Sequence, residues 1–219
     1  MTMRTLSSAC RGARSGVWAI ALGVAATLAG CASAPPERTW LSLPLETSSA
    51  SPTTVASAPN GITAPVPRGT PQLRLLRVQI PEYLQSNRVR FRDSATTLAE
   101  WSGVRWAERI EMGLTRHLGA QLNGVAGTGA VCEDTCNATP SMGNLQVSFV
   151  VLDHDRPQAR LHAQVNWALT PAPGSTSTPR QGQMRWTEPV QEDSPAGQAA
   201  AMARVNAVIA REVAQQLRL

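Results

Sequence analysis

Residues 161–169 alternate with a period of two: Leu161, Ala163, Val165, Trp167 and Leu169 are interleaved with His162, Gln164 and Asn166. A strand so patterned has one apolar and one wet face, so the chain must build a sheet that is covered on one side and solvated on the other. What covers it is also legible. Trp106, Ile110, Leu114 and Leu118 recur at steps of four, and Met202, Val205, Ile209 and Val213 recur at steps of three and four. Helices are therefore predicted over 102–122, with Ser102 as the cap, and over 196–217.

The remaining strands follow from local pattern. Residues 73–80 are rich in aliphatic and β-branched side chains and stop at Pro81. Residues 88–92 read Arg-Val-Arg-Phe-Arg, which sends Val89 and Phe91 inward and the three guanidiniums outward. Further strands are predicted at 96–101, 145–152, 161–169 and 183–187, with Asp153, His154, Asp155, Arg156 and Pro157 as the solvated turn inside the longest hairpin. The order βββαβββα argues an α+β fold: a mostly antiparallel sheet covered by two helices.

The amino-terminal segment reads differently. Arg4, Arg11 and Arg14 form a positive start with no acid to offset them, and residues 17–28 are an apolar run too short to span a bilayer. Leu28, Ala29, Gly30 and Cys31 follow, and they resemble a bacterial lipobox. That resemblance implies a signal peptide over 1–30, cleavage before Cys31, and acylation of the Cys31 thiol and the new amino terminus. Several acyl chains make a stable anchor where one is marginal. Ala32 stands where aspartate retains many such proteins in the inner membrane, so the expected location is the periplasmic face of the outer membrane.

All 20 basic residues are arginine, and three leave with the signal, which leaves 17 against 15 acids and a net charge of +2 in place of +5. Nothing in that balance argues for nucleic acid. Residues 46–71 consist mostly of Ser, Thr, Ala, Pro and Gly, with prolines at 52, 59, 65, 67 and 71, and read as a flexible tether. A short apolar island, residues 40–44, precedes it and reads as an edge strand that docks on the domain or as a membrane-surface contact. The expected organisation is a signal over 1–30, a lipidated amino terminus and tether over 31–71, and one domain over 72–219.

The phrase Gln79-Ile80-Pro81-Glu82-Tyr83-Leu84, the run from Arg88 to Asp93 and the triplet Trp106-Ala107-Glu108 resemble the ABC-type transport auxiliary lipoproteins, which include the paraquat-inducible lipoprotein C group. Trp40-Leu41-Ser42-Leu43-Pro44 resembles that family's first strand. The resemblance implies a non-enzymatic outer-membrane lipoprotein that works beside an ABC transporter and an MCE-domain protein, docking on or capping the conduit that carries lipid between membranes. A ring or other homo-oligomer suits such a conduit. Two departures stand out: Arg109 replaces a proline frequent in the family, and Cys132 with Cys136 is foreign to its pattern. A stand-alone ligand- or glycan-binding lipoprotein of envelope assembly is the alternative.

Catalytic chemistry finds little support. His117, His154 and His162 show no ligand spacing, and no Gly-x-Ser-x-Gly turn is present, so no catalytic residue, metal or cofactor is expected. Gly124, Gly127 and Gly129 follow a helix, whereas a phosphate-cradling loop precedes one. Cys132 and Cys136 are open to a disulfide, a metal pair or free thiols, with the oxidising periplasm favouring the disulfide. Arg88, Arg90 and Arg92 are the candidate partner-binding residues, because the guanidinium fork matches carboxylate and phosphate. The plainer account is a charged edge that resists aggregation. Trp106 and Trp167 are assigned to the core.

Overall fold

The longest strand organises the sheet. In the computed structural model, which describes residues 38–44, 73–127, 129–133, 136, 139 and 141–217, this strand is β6. The chain runs β1 (Thr39–Leu41), β2 (Leu73–Leu75), a one-turn 3-10 helix (Glu82–Leu84), β3 (Arg88–Arg92), β4 (Leu98–Trp106) and α1 (Ile110–Ala126). It continues with β5 (Val131–Glu133), β6 (Gly143–Asp155), β7 (Arg160–Thr170), β8 (Arg180–Pro189) and α2 (Pro195–Leu217). The predicted signal over 1–30, Cys31 and the segment 46–71 lie outside the described residues.

Along one side of β6 lies β7, antiparallel, and beyond it β8. Along the other side the segment from Leu73 to Arg92 follows β6 in its own direction. Leu73 pairs with Gly143, Gln79 bridges Ser148, and Arg92 pairs with Asp155, all parallel. β5 adds to β2 and β1 to β4, again parallel, while β3–β4 is antiparallel. The α+β class holds, but the sheet is mixed. Hydrophobic period fixes which face a residue takes, and it carries no information about strand direction.

Three boundaries and one short strand differ from expectation for physical reasons. The strand predicted over 73–80 ends at Leu75, because the Val78 N–H turns to Thr115 Oγ1 on α1 (2.9 Å), although Leu76 and Gln79 still bond to β6. β4 continues to Trp106, so Ser102 is an exposed strand residue and caps nothing. Trp106 matched the helical series only because it reaches the same core from the strand end. Helix α1 starts at Ile110 after an extended Arg109 without a side-chain cap, and Glu111 in its first turn suits the helix dipole. β5 went unpredicted, since three residues show no period.

The core lies between the sheet and the two helices. Leu75, Leu114, Leu122, Leu145, Val147, Leu161, Val205, Ile209 and Val213 are fully buried. Each such aliphatic side chain stabilises by about 1.5–3 kcal/mol relative to exposure. β1 is fastened to this core: Leu41 packs against it, Leu43 is buried, and the Ala107 N–H donates to Leu41 O (2.8 Å). Residues 46–71 therefore connect two strands of the same sheet, and they do not separate the domain from the expected anchor.

Candidate functional site

Two polar clusters occupy opposite faces of the β3–β6 junction. On the outer face, Asp153 of β6 accepts a hydrogen bond from the Tyr83 hydroxyl (2.6 Å) and an ion-pair bond from Arg92 Nε (2.5 Å). Arg90 Nη1 donates to the Tyr83 carbonyl oxygen (2.6 Å), which holds the one-turn helix down on the strand. Burial, then the Asp153 carboxylate, push the Tyr83 hydroxyl well above its ordinary pKa, so it stays a donor. Asp153 is not a solvated turn residue: β6 extends through Asp155, and Asp153 is only 7 % exposed.

The arginines of β3 separate accordingly. Val89 and Phe91 are buried on the inner side as expected. Arg88 is exposed and ion-paired with Glu100 (2.5 Å), whereas Arg90 and Arg92 are partly buried and bonded within the domain. The hydrogen bond from Arg88 lowers the Glu100 pKa, and Glu100 in turn raises that of Arg88. The structure thus brings together one exposed arginine and two that fasten the fold.

On the inner face, Gln198 near the start of α2 is a hub. Its Oε1 accepts from Trp101 Nε1 (2.9 Å) and lies 3.2 Å from His154 Nδ1, while its Nε2 donates to Arg90 O (2.7 Å). Donation to Gln198 Oε1 requires a proton on His154 Nδ1, and burial pushes the His154 pKa down, which favours the neutral ring. Arg156 lies over Phe91 (4.9 Å) and Trp101 (4.5 Å) and forks onto Asp193 (2.8 and 3.0 Å). His154, expected in a solvated turn, is 1 % exposed.

Gln198 and Asn206 escaped the sequence reading although both share the helical face of Met202 and Ile209. Asn206 is fully buried and donates to Leu114 O (2.9 Å), which ties α2 to α1 beside His117. Their steps of four were the signal that would have found them. Trp167 is in the core, with Gly182 opposite it on β8. His162 meets Thr187 Oγ1 (3.1 Å) on the solvated side. Cys132 and Cys136 are joined as a disulfide, with Cα atoms 6.0 Å apart. Among the described residues no three His, Cys, Asp or Glu side chains gather as metal ligands would, and no helix is long and apolar enough to cross a membrane.

The stretch from Gln79 to Arg92, tied to β6 by the Gln79–Ser148 bridge and by the bonds of Tyr83 and Arg92 to Asp153, sits in a domain of the α+β class. The sequence matches the family described as "ABC-type transport auxiliary lipoprotein component" over residues 54–214, and the chain belongs to that family. Two crystal structures share the fold. An uncharacterised protein superposes with TM-score 0.61 at 14 % identity, covering 83 % of this chain and 99 % of its own. A Xanthomonas campestris protein of the DUF330 family gives TM-score 0.53 at 16 % identity, covering 67 % of this chain and 83 % of its own. No curated protein sequence matches.

Proposed function

We propose that the protein is a non-enzymatic, lipid-anchored accessory of an ABC transporter on the periplasmic face of the outer membrane. It docks on or caps the conduit of an MCE-domain protein and assists movement of lipid between the membranes. The observation that carries this reading is family membership across residues 54–214. The geometry agrees with it, because Tyr83 and Arg92 are bonded to Asp153, and His154 to Gln198, as fasteners of the fold. Cys31 bears the anchor, and a homo-oligomer suits the conduit.

Of the three candidate partner-binding residues, Arg90 and Arg92 are engaged internally, so the accessible contact on β3 is Arg88. The test is affinity of the detergent-solubilised full chain for the periplasmic part of an MCE-domain protein from the same organism. Binding that weakens with salt and with Arg88→Glu is expected, since charged contacts steer association and are screened over about 8 Å at physiological ionic strength. Wild-type affinity in Arg88→Glu returns that arginine to the role of a protected edge.

A second reading has one observation in its favour. A depression of about 460 Å³ on the solvated face is lined by Gln146, Ser148, Asn166, Gln181 and Gln183, a set of donors and acceptors that suits a polar ligand such as a glycan. Absence of any binding to the MCE partner favours this stand-alone role.

A further inference from the structure

Packing does not account for the outer row at the β1 end of the sheet. Leu41 and Leu43 fasten β1 to the core, yet Trp40 between them and Arg38 is 58 % exposed. In the sheet register Trp40 lies beside Arg105 of β4, and Arg105 lies beside Arg88 of β3. Val89 and Trp106, their chain neighbours, are buried on the other face, so these three residues share the outer one. Arg88 is neutralised by Glu100, whereas Arg105 donates to the Val104 carbonyl oxygen and forms no ion pair among the described residues. Arg38, exposed at the start of β1, adds a second positive charge.

We infer that this row is a membrane-contact edge, with Trp40 at the headgroup level of an anionic phospholipid bilayer and Arg38 and Arg105 on lipid phosphates. Tryptophan is suited to that depth because its ring is apolar and its N–H needs a wet partner. Guanidinium is suited to phosphate and is drawn to anionic leaflets. Chain length puts the contact within reach on the lipid-anchored reading, on which this inference rests. Eight residues lie between Cys31 and Trp40, and fully extended this stretch spans at most about 30 Å. Because β1 is paired into the sheet, no longer tether intervenes. On that reading the bilayer lies within about 30 Å of Trp40, and this edge is the part of the sheet that the short connection brings nearest to it.

The experiment uses full-length protein in vesicles of phosphatidylethanolamine and phosphatidylglycerol, with and without a phospholipid brominated near the headgroup end of its acyl chains. Bromine quenches tryptophan only at contact. The chain holds six tryptophans, so the readout is the difference between wild type and Trp40→Phe, a substitution at an exposed site that leaves the core untouched. Wild type should be quenched, and Trp40→Phe should lose most of that quenching. Arg38→Glu with Arg105→Glu should lose part of it, as should wild type in zwitterionic phosphatidylcholine. Equal quenching in wild type and Trp40→Phe, or none in wild type, overturns the membrane edge. Undiminished quenching in the double arginine variant overturns the phosphate contact. Mass spectrometry of the amino-terminal peptide reads acylation separately. An acylated chain with unquenched Trp40 sinks the edge alone; a non-acylated chain quenched through Trp40 sinks the anchor and keeps the edge.

Discussion

Asp153 receives bonds from two directions, and its two partners contribute unequally. Tyr83→Phe removes one neutral donor while Arg92 still neutralises the carboxylate, so a loss of about 1–2 kcal/mol in urea unfolding is expected. Arg92→Ala should cost more, because it leaves a carboxylate that is nearly buried without its cation. Arg92 itself is 30 % exposed, so solvent screening keeps the loss below that of a fully buried pair. At His154 the sign of the pH dependence follows from its lowered pKa. Neutral imidazole is favoured in the fold, so the unfolded chain takes up a proton first as pH falls through about 6.5. Stability should be full above that pH and decline below it, and a His154→Gln variant should show a flatter profile in the same titration. None of this was readable at residues 153–155, where Asp-His-Asp between two apolar runs imitates a solvated turn. The bonding partners lie 70 residues upstream and 44 downstream, a separation that local pattern cannot span.

At the scale of elements, the strands and helices with an unbroken period were legible, and the joins between them were not. β7 and α2 follow the alternation and the fourfold steps nearly to their ends. The β4–α1 join misled because Trp106 serves both periods, and β2 ended early because a threonine on α1 took its ladder hydrogen bond. Gly182 on β8 offers a direct check on how the outer strand is seated. A Cβ there would lie 2.7 Å from the Trp167 indole nitrogen. Gly182→Ala should therefore displace either the ring or β8 and destabilise by about 1–3 kcal/mol, measurable as a lower denaturant midpoint with altered tryptophan emission. The disulfide after α1 closes a very small loop, so Cys132→Ala with Cys136→Ala should cost only about 2 kcal/mol. Peptide mass spectrometry without reductant should recover the two cysteines linked, and recovery as two free thiols would remove the bond from the account.

For the whole molecule, the decisive point is where the anchor joins the domain. Composition alone made residues 46–71 a spacer that lets the domain reach away from the membrane. The pairing of β1 with β4 alters that geometry, since the domain's first strand lies upstream of the segment. If Cys31 carries the proposed lipid, the domain is held near its own membrane, and any bridge across the periplasm comes from the proposed partner. Cys31 is the proposed point of attachment. If the thiol carries the lipid, Cys31→Ser blocks modification, and cleavage before residue 31 fails with it. The variant should accumulate as a precursor heavier by the signal segment, take up no labelled palmitate, and leave the outer-membrane fraction. A variant that still incorporates palmitate, or is cut to the same mature size, would refute acylation at Cys31. The domain should stay folded throughout, because the described core begins at Leu41 and Leu43, so circular dichroism of the precursor separates a lost anchor from a lost fold.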